Sequence, residues 1–133
     1  MLFVRGSLIK NEKKYKMPRK LFFNPQKKGT VFRARIVTPK KPNSAKRPAA
    51  KVILVSKLQL VAHIPGQGHN LRRFSKVLIR GGGARDLPGV YYTCIRGVYD
   101  LMGVNHKTKR RSIYGVEQKS FQKKKLRRRF RNL

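Results

Sequence analysis

The chain has 133 residues, 35 of them Lys or Arg and only 4 Asp or Glu, for a net charge of +31. That length gives one compact domain and no second. So much like charge resists compaction and calls for a polyanion, either nucleic acid or an anionic membrane surface. No run of about 18 apolar residues offers a membrane span, and a single cysteine, Cys94, excludes an internal disulfide.

The charge is uneven. Residues 1–50 carry 15 basic residues against 1 acid, residues 51–100 carry 8 against 2, and residues 101–133 carry 12 against 1. The middle is therefore the expected core and the ends are expected basic arms, too polar to offset the entropy of folding alone. The first 24 residues, with Glu12 as their one acid, have the look of an organellar presequence but are sparse in Ser and Arg.

In chain order, Val31–Val37 alternates, with Phe32, Ala34 and Ile36 on the expected inner face and Arg33 and Arg35 outside. Residues 38–50 hold three prolines and read as a loop. Lys51–Val55 and Gln59–Ile64 are short strands close enough to form a hairpin, the second burying Leu60, Ala62 and Ile64. Pro65-Gly66-Gln67-Gly68 ends it, and one helical turn is predicted over His69–Phe74. Lys76–Arg80 is a fourth strand, residues 81–89 a glycine-rich loop, and Val90–Tyr99 a fifth strand with a bend at Gly97. In the basic tail, Leu126 and Phe130 are spaced for one face of a short helix, though a segment that orders only on RNA fits its composition better.

Five short strands with Gly- and Pro-rich turns predict an all-β fold, a small barrel of the OB type, with an SH3-like barrel fitting the count nearly as well. Expected boundaries are a basic extension over 1–29, the barrel over 30–105 and a basic tail over 106–133. In an OB-fold, nucleic acid binds beside the loops joining strands 1–2 and 4–5, here Thr38–Ala50 and Gly81–Gly89.

The chemistry-bearing residues favour binding over catalysis. Lys and Arg give charge-assisted hydrogen bonds to phosphate, and Lys27, Lys28, Arg33, Arg35, Lys109, Arg110 and Arg111 are the candidates outside the two loops. In Lys40-Lys41-Pro42-Asn43-Ser44, Pro39 just before the stretch and Pro42 within it stiffen the backbone while Asn and Ser supply short polar contacts suited to 2′-hydroxyls. In Arg85-Asp86-Leu87-Pro88, a carboxylate among cations needs a partner, with Arg85 the nearest in sequence. His63, His69 and His106 lack the spacing of a metal site. The glycine stretches match neither a dinucleotide fingerprint nor a P-loop, and no Ser-His-Asp or Cys-His grouping is evident. No catalytic residue, cofactor or metal is expected. A free single-strand binder would expose an aromatic platform, whereas Tyr91 and Tyr92 point to opposite faces and the other aromatics are scattered.

Taken in order, Pro25-Gln26-Lys27-Lys28-Gly29, Thr38-Pro39-Lys40-Lys41-Pro42-Asn43-Ser44-Ala45, Pro65-Gly66-Gln67-Gly68-His69-Asn70-Leu71, Val77-Leu78-Ile79-Arg80-Gly81-Gly82 and Asp86-Leu87-Pro88-Gly89-Val90 resemble the signatures of the universal small-subunit ribosomal protein S-twelve family. Arg96-Gly97, Asp100, Gly103-Val104, Arg111-Ser112 and Tyr114-Gly115-Val116 extend the resemblance over roughly residues 24–117. It implies a structural protein of the small ribosomal subunit that binds rRNA at the decoding centre and supports accurate tRNA selection. The implied partners are rRNA, A-site tRNA, the mRNA codon region, neighbouring small-subunit proteins and, transiently, elongation factors, with no membrane. By the same resemblance, Lys40–Ser44 and Arg85–Pro88 border the codon–anticodon helix, and His69 and Asn70 lie towards tRNA and factor. Departures are Arg85 for the family's usual Lys, Phe74 for the usual bacterial His, and Ser56-Lys57 for the usual Asn-Gly turn. The lead before Pro25 is about as long as in bacterial relatives, leaving little room for a removable presequence. An organelle-encoded mitochondrial member is expected, with a plastid or bacterial one as the alternative.

Overall fold

A computed structural model describes residues 19–118; the basic tail over 123–131 and most of the N-terminal arm lie outside that range. A 3₁₀ turn at Arg19–Leu21 precedes strands β1 (Gln26–Val37), β2 (Arg47–Leu54), β3 (Gln59–His63), β4 (Lys76–Gly81) and β5 (Tyr92–Cys94), with one helical turn, α1 (Arg111–Tyr114), beyond them. The strands close into a barrel in the order β1-β2-β3-β5-β4, with β1 completing the circuit on β4. That is the five-stranded Greek-key circuit of an OB-fold, and it removes the SH3-like alternative.

Pairing is antiparallel except between β3 and β5, which run parallel over Ala62–Tyr92 and His63–Thr93. Alternation fills the interior: Ala50, Val52 and Leu54 from β2, Leu60 and Ala62 from β3, Val77 and Ile79 from β4, and Tyr92 and Cys94 from β5. Leu21 and Leu101 cap this cluster from outside the strands. The hairpin between β2 and β3 forms as predicted, turning at Ser56-Lys57 with Lys57 at a positive φ of 60°.

Four elements differ from the sequence reading. In β1 the inward residue is Val31, while Phe32 and Ile36 are exposed and Ala34 is half-buried. A bulge accounts for Phe32: Val31 pairs with Val52 but Arg33 with Lys51, so Phe32 is the extra residue and is turned outward, while Ala34 lies opposite the buried Ala50 on the inner face and Ile36 is near the end of the strand. Next, β2 begins at Arg47, because Arg47–Ala50 continue the ladder with Val37–Ala34; Pro48 is tolerated near the start of the strand. No helical turn forms over His69–Phe74, where the chain is irregular and closes in a turn with Ser75 N–H bonded to the Arg72 carbonyl. Finally, the fifth strand is only Tyr92–Cys94, since Gly97 at φ 78° and Tyr99 at φ 54° bend the chain out of the sheet.

Candidate RNA interface

The two loops singled out in the sequence are built as one unit. Between β1 and β2, the Asn43 N–H bonds the Lys40 carbonyl across a cis Lys41–Pro42 peptide, closing a tight turn. Between β4 and β5, Leu87 is buried and its N–H bonds the Ala84 carbonyl, closing a turn within the second loop. Gly83 allows this loop to press against the backbone that leads into β5: a Cβ there would lie 2.0 Å from the Val90 carbonyl oxygen.

Asp86 joins the pair. Its carbonyl accepts the Lys40 N–H at 2.8 Å, and its carboxylate accepts Arg47 Nε at 2.8 Å with Arg47 Nη2 2.6 Å from the same oxygen. The partner of Asp86 is thus Arg47 at the base of β2, not the adjacent Arg85, which is exposed. Only 14% of the Asp86 side chain is exposed, so a lone carboxylate is neutralised beside the loops instead of repelling an incoming phosphate. Lys40, Lys41, Pro42, Asn43 and Ser44 on one loop, with Arg85 and Pro88 on the other, remain exposed around this tie. His63 borders it. Its Nδ1–H donates to the Pro48 carbonyl at 3.2 Å, and burial, aided by the charge of Arg47, lowers its pKa despite that bond and Asp86.

His69 and Asn70 sit elsewhere on the surface, on the loop after β3. Asn70 spans to the segment after β5, donating to the Asp100 carbonyl at 2.7 Å and accepting from Met102 N–H at 3.2 Å. His69 is exposed and shares a 340 Å³ concavity with His106. The organiser of this region is Arg96, only 4% exposed, whose guanidinium donates to the carbonyls of Pro65 (2.6 Å), Met102 (3.1 Å) and Gly68. Burial lowers its pKa. The motif match contained Arg96, but an arginine inside a strand-like run reads as a surface residue until its three carbonyl partners are seen.

A second knot holds the C-terminal segment on the barrel. Val104 N–H bonds the Tyr114 carbonyl, and Gly115 packs directly on the Arg96–Gly97 backbone. A Cβ on Gly115 would lie 2.5 Å from the Arg96 carbonyl carbon, and one on Gly97 would lie 2.9 Å from Gly115 Cα. The Arg96-Gly97 and Tyr114-Gly115 dipeptides are therefore two halves of one contact.

The other basic candidates are distributed around the fold. Lys27 and Lys28 stand over the rings of Phe22 and Tyr99, at 4.6 and 5.1 Å from their centroids. Arg33 and Arg35 project from the exposed side of β1, and Lys109, Arg110 and Arg111 lead into α1, with Arg111 half-buried. Among the described residues no three His, Cys, Asp or Glu side chains cluster as metal ligands. Cys94 is buried in the core, which pushes its thiol up to about 12.

The family model described as ribosomal protein S12/S23 matches residues 13–131. The chain is similar to the small ribosomal subunit protein uS12m of Paramecium tetraurelia, with 64% identity over 107 residues, covering 80% of this chain and 77% of that one. A Greek-key barrel bearing two tied polar loops, matched over nearly its whole length, places this chain in the ribosomal protein S12/S23 family.

Proposed function

We propose that the loop pair Lys40–Ser44 and Arg85–Pro88 borders the codon–anticodon helix in the decoding centre and supports accurate tRNA selection. The setting for this reading is the small ribosomal subunit of mitochondria, where the chain is a structural protein and not an enzyme. Its partners there include rRNA and ribosomal proteins.

The observation that carries the reading is the tie at Asp86. One residue fixes both loops through its backbone and its carboxylate, so their exposed polar groups are presented as a single pre-ordered surface. Order held in advance costs no entropy when RNA docks. Lys40, Lys41 and Arg85 supply cations for phosphate, while Asn43 and Ser44 supply donors and acceptors for 2′-hydroxyls and minor-groove edges. Leu87 acts from beneath, as the buried anchor of the second loop. On the same reading, His69 and Asn70 face tRNA and elongation factor during delivery, and A-site tRNA and the mRNA codon meet the loop pair. Lys27, Lys28, Arg33, Arg35, Lys109, Arg110 and Arg111 hold rRNA phosphates, and the basic residues at both chain ends extend that hold.

The test is a fidelity measurement in mitochondria or in a reconstituted system carrying Lys41→Ala or Pro42→Leu. The expected result is altered misreading with subunit yield near wild type. Equal losses in subunit assembly and in accuracy would remove the local decoding role.

A further inference from the structure

The bulge in β1 produces a surface feature that the decoding role does not use. Phe32, turned out of the core, is 42% exposed, and Phe74 nearby is 67% exposed. The two positions are held together by backbone bonds, with Phe74 N–H donating to the Val31 carbonyl at 2.7 Å and Val31 N–H to the Ser75 carbonyl at 2.8 Å. Arg73 stands beside both rings, its guanidinium carbon 5.4 Å from the Phe32 centroid and 4.9 Å from that of Phe74. Lys51 Nζ approaches Phe32 at 5.8 Å. The sequence had suggested scattered aromatics; the fold gathers these two.

Phe32 stands as a fin between concavities of different character. A slot of about 200 Å³ is lined by Phe32 and Phe74 together with Ile53 and Val55. Beside Phe32 lie a 420 Å³ hollow edged by Arg33, Arg72 and Arg73, and a 380 Å³ hollow edged by Arg33, Arg35 and Lys51. An apolar slot with an aromatic wall, next to hollows lined by cations, matches the two halves of a nucleotide: a flat base and an anionic phosphate. A protein partner would have to bring acidic groups to five cations around two phenylalanines, whereas an RNA strand carries its charge at every residue.

We propose that Phe32 and Phe74, with Arg73 and Lys51 at the rim, form a stacking shelf that captures one unpaired base of the small-subunit rRNA, its flanking phosphates lying on Arg33, Arg35 and Arg72. This rests on the ribosomal assignment and adds to it a base-holding site outside the loop pair. Base capture by aromatic faces is tolerant of sequence, so the shelf selects an extruded nucleotide by shape and not by its hydrogen-bonding edge.

The test uses intact mitochondrial small subunits. Ultraviolet irradiation followed by digestion and mass spectrometry is expected to give an rRNA nucleotide adduct on the peptide containing Phe32 or Phe74. Base-reactive probing of the same subunits is expected to show that nucleotide protected, with protection lost in subunits carrying Phe32→Leu and Phe74→Leu. Should the double variant fail to assemble, the adduct map of the wild-type particle decides. A particle that contains the chain but gives no adduct there, or gives one to tRNA, mRNA or another protein, overturns the shelf and leaves the ribosomal assignment standing. A chain that does not sediment with small subunits at all overturns both.

Discussion

Arg47 and Asp86 form the one ion pair among the described residues, and it lies at the junction of the two loops. Arg47 opens β2 and Asp86 sits midway in the loop between β4 and β5, so elements far apart in the chain are fixed by a single carboxylate. In a protein with 4 acids and 35 basic residues, placing one acid at that junction sets the geometry of the loops before RNA arrives.

Asp86→Asn removes the charge while keeping the shape. The backbone bond to Lys40 persists, but the guanidinium loses its charged acceptor. Since Arg47 is 39% exposed, solvent screens part of the loss, and the expected destabilisation is about 1 kcal/mol. Thermal unfolding of the purified protein measures it. In the particle, the same variant is expected to raise misreading more than it lowers subunit yield.

Arg96 is a stronger test of stability. Replacing it with Gln strands three carbonyls that now share one guanidinium, at Pro65, Met102 and Gly68. The expected cost is roughly 3 kcal/mol, since each lost charge-assisted bond leaves a partly buried acceptor unpaired. Arg96→Lys is expected to be nearly as harmful, because an ammonium lacks the planar fork that reaches all three. A lysine variant with wild-type melting behaviour would show that charge alone suffices.

Gly115→Ala is expected to release the segment over residues 104–116 from the barrel. The new methyl would meet the Arg96 carbonyl carbon at 2.5 Å, and the residue already holds φ at 63°, a conformation costly for alanine. Faster amide exchange confined to that segment, with the strands still protected, is the expected signature.

Cys94 provides a pH test. Burial holds its thiol protonated up to about 12, well above its unfolded value, so the folded state binds this proton more tightly than the unfolded chain does. Its contribution to stability is therefore full below the unfolded thiol pKa and declines as pH rises through the folded one. The native protein at pH 8 is expected to resist alkylation, and to react within minutes once unfolded. Cys94→Ala should remove this thiol's share of any alkaline decline while leaving a small cavity.

Much of this molecule was legible in its residues. Leu60, Ala62 and Ile64, and Val77 and Ile79, alternate cleanly because those strands lie flat in the barrel wall, and the glycine and proline punctuation marked the turns between them. The strand count and the loop positions followed. What misled was β1, where the extra residue Phe32 is turned outward at the bulge, Ala34 regains the inner face opposite Ala50, and Ile36 is left exposed near the end of the strand. A bulge leaves no mark in hydrophobic periodicity. The fifth strand was overestimated because β-branched and aromatic residues continue past Cys94, while Gly97 and Tyr99 turn the backbone. At the loops, the sequence identified the exposed residues, but the partner of Asp86 comes from a distant strand, and contacts of that kind are settled only by closure of the barrel.

That closure has a consequence for how the chain is made. The first half of β1, from Gln26 to Thr30, bonds to β4, and β3 finds its parallel neighbour only in β5. As the polypeptide leaves the machine that synthesises it, β1, β2 and β3 can pair as a meander, yet the opening half of β1 lacks its partner until β4 has emerged past Gly81, and the free edge of β3 until β5 has emerged past Cys94. Late, long-range pairing of this kind is slow. The barrel of this cationic chain therefore closes only after β4 and β5 have been made, so its completion depends on contacts that form last in synthesis.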